Sequence, residues 1–370
     1  MSVSPASSWR QVIARPTDSA ESIESFALVV GAAAFVVGLV VTTPLFWGHD
    51  LEIAGPASLG QFTAIAGGIV AGLAFVVARV LVHRRSAKAD PFDVPGARLH
   101  WFDILALALA HALIGVLAWT ALASVLERSF QGAVVFTLPA IVLGSVALAL
   151  SAYVAFLSGA NMTPSLLSLV LAVFLVLGVI AAMLSSSDPL WWQKNLSALG
   201  MTDDLSAFAF NITLIVAGVI VTTIARYGTA SLPAATEADV KRRRTVRVLL
   251  ILIGIFLACV GIFHVDTHFA IHNTVACGMA VAFAVLVFAL ARLVPPMPKA
   301  FVILGFVYVA VVVVLGIFFA VGYYNLTAVE LVAAILIFSW IIVFLRNVGA
   351  IAQRETARPE VRADQEPVAA

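Results

Sequence analysis

The stretch Gly261-Ile262-Phe263-His264-Val265-Asp266-Thr267-His268-Phe269-Ala270-Ile271-His272-Asn273 places three of the chain's seven histidines, an aspartate and an asparagine between two long apolar runs. The flanking runs, residues 246–264 and 269–293, are each about as long as a helix that crosses ~30 Å of hydrocarbon. The stretch therefore reads as a reversal between two membrane-spanning helices, with a dense knot of polar chemistry at the membrane surface.

Working outward, the same kind of apolar run recurs from end to end. The 370 residues are 62% hydrophobic and 11% charged, with a mean hydropathy of +1.08, against roughly 25% charged in soluble domains. Continuous rather than alternating apolar runs point to helices, because each spanning segment must satisfy its own backbone. The expected fold is all-α, a polytopic helical transmembrane bundle of about ten helices. Their approximate limits are 25–47, 59–83, 101–126, 132–158, 164–185, 205–227, 246–264, 269–293, 298–322 and 326–346. Four of these form an N-terminal membrane region (25–158) and six a second membrane domain (164–346). A cytoplasmic tail (1–24) precedes them and a disordered cytoplasmic tail (347–370) follows. Residues 1–24 carry Arg10 and Arg15 but no short apolar region with a small-residue cleavage site, so a removable signal peptide is not expected.

The distribution of Lys and Arg predicts the threading. When the ends of the spans are numbered alternately, all of the 21 Lys and Arg residues but two, Arg128 and Lys194, fall on the side of the N-terminus. The positive-inside rule then puts both termini in the cytoplasm of a multi-pass protein of the cell (plasma) membrane. The longest cytoplasmic connection, Tyr227 to Arg247, contains Lys241-Arg242-Arg243-Arg244. This run reads as a topology anchor beside anionic headgroups, with a regulatory lipid or partner site as the alternative. Gly68-Ile69-Val70-Ala71-Gly72 is a small-xxx-small pattern, the kind of helix face that lets two helices, or two copies of the chain in an oligomer, approach closely. A formal net charge of +1 offers nothing to nucleic acid, and two cysteines inside apolar runs, Cys259 and Cys277, give neither a disulfide framework nor a four-cysteine metal site.

With this threading, the polar residues of the second domain collect outside the cell. The connection from Ser185 to Gly200 carries Asp188, Trp191, Trp192, Asn195 and Ser197, and its paired tryptophans suit the headgroup interface. Asn211 follows about one and a half turns into the next span, and Glu330 lies on the first turns of the last. Asp188, Asn195, Ser197, Asn211, Asp266, His272, Asn273 and Glu330 thus form a candidate polar pocket. His264, His268 and His272 are spaced i, i+4, i+8 and would spread over ~12 Å on one unbroken helix, too far for one ion. A reversal capped by Asp266 or Thr267 would instead leave His268 and His272 one turn apart, a workable metal-binding pair. His264 and Asp266 then complete a tentative metal set, and zinc is the metal it would suit; no motif calls for any other cofactor. Three other readings stay open: helix-capping and hydrogen bonding to Asn195 or Ser197, interfacial polar groups in contact with water, and proton titration or substrate binding without metal. His111, in mid-span, is expected to face the bundle interior. The metalloprotease, phosphate-loop, nucleophile-elbow and paired-cysteine motifs are all missing from the sequence.

Asn195-Leu196-Ser197-Ala198-Leu199-Gly200, Phe210-Asn211, Gly261-Ile262-Phe263-His264-Val265-Asp266 and His272-Asn273 together resemble the bacterial membrane family known as domain of unknown function 998. The resemblance covers about residues 164–346 and leaves the first four spans unassigned. His264 stands where that pattern often has proline. The family is in turn similar to the six-span Frag–DRAM–Sfk type associated with lipid and GPI-anchor handling. Ser197, Gly200, Asn211, Asp266, His272 and Asn273 are the positions the resemblance singles out.

Three functions follow as expectations. The first is a non-enzymatic membrane protein that handles or senses lipid or envelope components through the outer polar pocket, with membrane lipids as its partners. The second is a metal-dependent lipid hydrolase or transferase using His264, His268, His272 and Asp266 around a zinc-activated water. The third is a secondary transporter, disfavoured by the shortage of charges in mid-membrane.

Overall fold

The computed structural model describes residues 19–86, 100–201, 203–230, 232 and 235–363, with side chains described as far as residue 351 except at 85 and 86. The expected N-terminal tail up to residue 18, Lys88, Arg98 and residues 364–370 lie outside the described residues. Among the described residues ten helices are long and apolar enough to cross a membrane: α1 (Ala20–Phe46), α2 (Leu59–Ser86), α3 (Trp101–Ser129), α4 (Thr137–Ala160), α5 (Pro164–Ser185), α6 (Leu205–Ala230), α7 (Glu237–Ile262), α8 (Phe269–Leu293), α9 (Lys299–Ala320) and α10 (Leu326–Ala363). The protein is an all-α polytopic membrane protein.

Helix limits depart from the apolar runs in both directions: α4 begins at Thr137 rather than 132, because Val134–Val135 pair as a strand, and elsewhere local chemistry extends the helix. α7 begins nine residues before the run at 246, because Thr236 and Asp239 form a capping box: the Thr236 hydroxyl accepts from the Asp239 N–H and Asp239 accepts from the Thr236 N–H. The basic run Lys241–Arg244 is therefore helical rather than loop. Ser19 caps α1 by accepting from the Ser22 N–H at 3.1 Å, and α10 continues as helix to Ala363, well past the expected tail boundary. Hydropathy marks where the hydrocarbon begins, whereas caps and propensity decide where the helix does.

The chain forms two compact units, Met1–Met162 and Thr163–Ala370. In the first, α1 packs on α4, and α2 on both α3 and α4. Gly68 and Gly72 lie against α3, where an added Cβ would sit 2.7 Å from the Ala112 carbonyl and 3.3 Å from that of Ala108, so this small-residue face is spent inside the unit. The α1–α2 and α3–α4 connections meet as a two-residue antiparallel bridge, Leu51–Glu52 (β1) with Val134–Val135 (β2), as alternate threading requires.

In the second unit, α5 packs on α6 and α10, α6 on α7, α7 on α8, and α9 on α8 and α10. Its core includes the fully buried Trp340, stacked on Phe301 and Phe344 with Phe283 edge-on. α9 buries little beyond Phe301 and Gly305. Its exposed Ile303, Val307, Val311 and Ile317 would be costly in water and cost nothing in lipid.

Candidate functional site

The α5–α6 connection is folded as two short 3₁₀ turns, Trp191–Gln193 and Leu196–Gly200. All five residues of the second turn are buried, and side chains from α6, α8 and α10 hold it down. The Ser206 hydroxyl, on α6, donates to the Ala182 and Leu199 carbonyls at 2.8 and 3.2 Å. The Glu330 carboxylate, on α10, accepts the Leu196 N–H at 2.6 Å and also the Ser197 N–H, capping the 3₁₀ turn as an anion caps a helix N-terminus. Asn325 bonds the Trp192 carbonyl at 3.1 Å and caps α10 through the Ala328 N–H.

His272 occupies the first turn of α8 and is 3% exposed. Its Nδ1 lies 2.7 Å from the Phe263 carbonyl and its Nε2 3.0 Å from the Ser197 hydroxyl. A carbonyl only accepts, so Nδ1 carries the proton and Nε2 accepts the hydroxyl proton of Ser197. Phe263 is the C-cap of α7, and its carbonyl is one of the groups a helix end leaves unpaired. The imidazole thus ties together the end of α7, the start of α8 and the 3₁₀ turn.

A second link lies beside it. Asn211 Nδ2 sits 3.1 Å from the Gly200 carbonyl and 3.0 Å from His264 Nε2. The two amide hydrogens serve both acceptors, so His264 Nε2 is unprotonated in this arrangement. Close backbone approach makes the link fit. A Cβ on Gly200 would fall 2.4 Å from Asn211 Oδ1, and one on Gly261 would fall 2.7 Å from the Asn211 carbonyl. Both glycines are required by space rather than by backbone angle.

The cluster therefore unites Ser197, His272, Asn211, His264 and Glu330, with Asn195 at the head of the turn. The Asn195 side-chain oxygen is buried and has no hydrogen-bond partner among the described residues. Other expected members stand apart. Asp188 turns back on its own loop, accepting from the Leu190 N–H at 2.9 Å and from Lys194 Nζ at 3.0 Å; the lysine contact and the Leu190 N–H hold its carboxyl below the usual carboxylate range. Asp266 and Asn273 are exposed.

The tentative metal set is not assembled. Among the described residues no group of three or more His, Cys, Asp or Glu is placed to hold a metal ion. His268, not Asp266 or Thr267, is the N-cap of α8. It is exposed, bonded to Thr267 Oγ1 at 2.9 Å and edge-on to Phe263, while both ring nitrogens of His272 are already engaged. The tight reversal separates the three histidines, each to its own partners. The Phe263 carbonyl and Ser206 are the members that spacing could not reveal, since one is a backbone atom and the other a lone serine in an apolar helix.

Asn195, Ser197, Asn211, His264 and His272, which meet here, belong to the motifs quoted above, and residues 169–347 match the family model described as Protein of unknown function (DUF998). This part of the chain belongs to that family. No curated protein and no solved structure matches the chain. The DUF998 match begins within α5 and ends on α10, so it takes in every residue of the cluster.

Proposed function

We propose that the DUF998 domain handles or senses a lipid or envelope component through this polar cluster, which faces the extracytoplasmic side of the cell membrane while both termini lie in the cytoplasm. The observation that carries the reading is the buried, unpartnered Asn195 oxygen at the head of the turn that bears Ser197 and meets Glu330. An unpaired buried acceptor costs on the order of 1–3 kcal/mol, and a ligand donor would remove that cost. The unpartnered Asn195 oxygen is an acceptor, so the favoured ligand is a headgroup with hydroxyl or ammonium donors. The charge asymmetry of the loops supports the orientation, and a lipid role is suggested by the similarity of the family to the Frag–DRAM–Sfk type. The metal-dependent alternative has no assembled ligand set behind it.

Photoreactive, clickable phosphatidylethanolamine incorporated into nanodiscs with the full-length protein tests this. Crosslinks are expected on residues 195–201 and 263–272 and should fall several-fold in Asn195→Ala. Crosslinks spread evenly along the lipid-facing helices and indifferent to Asn195 would overturn the reading. In a background without Cys259 and Cys277, Ser187→Cys must react with an impermeant maleimide from outside intact cells; protection there would reverse the orientation.

A further inference from the structure

The opposite end of the DUF998 domain holds a second feature, independent of the polar cluster. A cleft of about 220 Å³ opens between the first turns of α7 and the α8–α9 connection, lined by Leu232, Asp239, Arg242, Arg243, Leu293 and Val294, with Pro295 and Pro296. One side is apolar, and its two prolines present no N–H. The other side is cationic. Beside the cleft, Arg247 lies close enough to Arg243 and to Arg226 to be repelled by both, and among the described residues its Nε is bonded to a neutral hydroxyl, Thr229 Oγ1, at 3.0 Å.

The carboxylate in the cleft is largely committed. Asp239 serves the α7 capping box through the Thr236 N–H and hydroxyl, and its contact with Arg242 is long, 3.4 Å, and solvent-exposed. Such a pair contributes little and leaves the Arg242 guanidinium free to turn. Arg243 is half-buried and has no ion pair among the described residues. Arg243, half-buried in a cleft with an apolar wall, thus lacks an anionic partner among the described residues.

We propose that this cleft binds the phosphate of an anionic phospholipid in the leaflet at this end. The guanidinium forks of Arg242 and Arg243 suit two phosphate oxygens, and the Leu293–Pro296 wall suits the glycerol and first acyl carbons. A lone basic run acting only as a topology anchor needs neither a cleft nor an apolar wall. The basic residues outside the cleft supply the contrast, since Lys241 and Arg244 are exposed on the same helix and do not line it.

The test uses the full-length protein in neutral detergent micelles, titrated with short-chain phosphatidylglycerol, short-chain phosphatidylcholine and inorganic phosphate, with binding read by native mass spectrometry. Wild type should bind phosphatidylglycerol selectively. The pair Arg242→Gln with Arg243→Gln should weaken it by about tenfold or more, the worth of a charge-assisted hydrogen bond. Lys241→Gln with Arg244→Gln removes the same charge and should leave binding within twofold. Arg243→Lys, which retains charge and loses the fork, should fall between wild type and the cleft pair and guards against misfolding of the double variant. Equal losses in the two double variants would overturn the proposal, as would displacement of the lipid by inorganic phosphate at equal concentration, which would make a soluble phosphate the ligand.

Discussion

The two units each bury a histidine hydrogen-bonded in the same way, and the settings differ. In the first, His111 on α3 places Nδ1 2.7 Å from the Leu107 carbonyl and Nε2 2.8 Å from the Ser158 hydroxyl. In the second, His272 places Nδ1 2.7 Å from the Phe263 carbonyl and Nε2 3.0 Å from Ser197. Both are under a tenth exposed, at 7% and 3%. Yet Leu107 is one turn back on the histidine's own helix, and the ring stacks on Phe75 with centroids 4.3 Å apart. That pair is a clamp between α3 and α4. His272 instead reaches the unpaired end of another helix, in company with Asn211, His264, Glu330 and the orphaned Asn195 oxygen. A serine bonded to a histidine is therefore no signature of chemistry in itself; what differs is that His111 binds a carbonyl of its own helix and His272 the free end of another.

The sharpest way to break this comparison is to replace each pair by apolar residues of similar size. His272→Leu with Ser197→Ala should reduce lipid crosslinking several-fold or more while the protein stays folded by size-exclusion chromatography. His111→Leu with Ser158→Ala should leave crosslinking unchanged, and its thermal midpoint should move little, since removing both partners of a buried hydrogen bond is nearly neutral. Equal loss of crosslinking in both doubles would erase the distinction.

A smaller effect is expected from the packing that seats the second cluster. Gly261→Ala forces a Cβ against the Asn211 backbone and should destabilise the domain by about 1–3 kcal/mol, read as a lowered midpoint of thermal unfolding in detergent. Gly316→Ala, where nothing lies within 4 Å, should match or slightly exceed wild type, by up to about 1 kcal/mol of helix propensity. A destabilised Gly316→Ala would show that helix glycines matter here for reasons other than close approach.

The smallest effect concerns Asp188, which stands outside the cluster. Its carboxyl is held low by Lys194 and the Leu190 N–H, so any stabilisation is present at neutral pH and is lost as pH falls through the carboxylate range. The contact is exposed, and Lys194→Ala should leave both the thermal midpoint at pH 7 and lipid crosslinking unchanged. Loss of crosslinking would bring Asp188 back into the site.

Much of the architecture was legible from residue order. Each spanning helix is an almost independent transfer into hydrocarbon, so run length alone located all ten; caps such as Thr236–Asp239 carried a helix beyond its apolar part, and residues 132–136, expected as helix, instead form a turn and β2 ahead of α4. Alternation of the ends also collected Asn195, Ser197, Asn211, His272 and Glu330 at one end. The misreading of His268 arose at a turn, where one residue of register decides whether a side chain caps, faces solvent or enters the core. Asp188 was grouped with the cluster by position, and the local pull of Lys194 took it away.

What the residues determined by themselves is the number of spans, their alternation and the end at which polar chemistry gathers, because these depend on local composition and on the thickness of a membrane. Which atoms meet was decided only by the tertiary structure. Ser197 and His272 are 75 residues apart and Leu196 and Glu330 are 134 apart, and their meeting depends on how each helix is rotated about its axis. In a water-soluble bundle an apolar stripe would announce that rotation. In a membrane the lipid side is as apolar as the core, so the inward face is set by close contacts such as those at Gly200 and Gly261 and by the pairing of a few buried polar atoms.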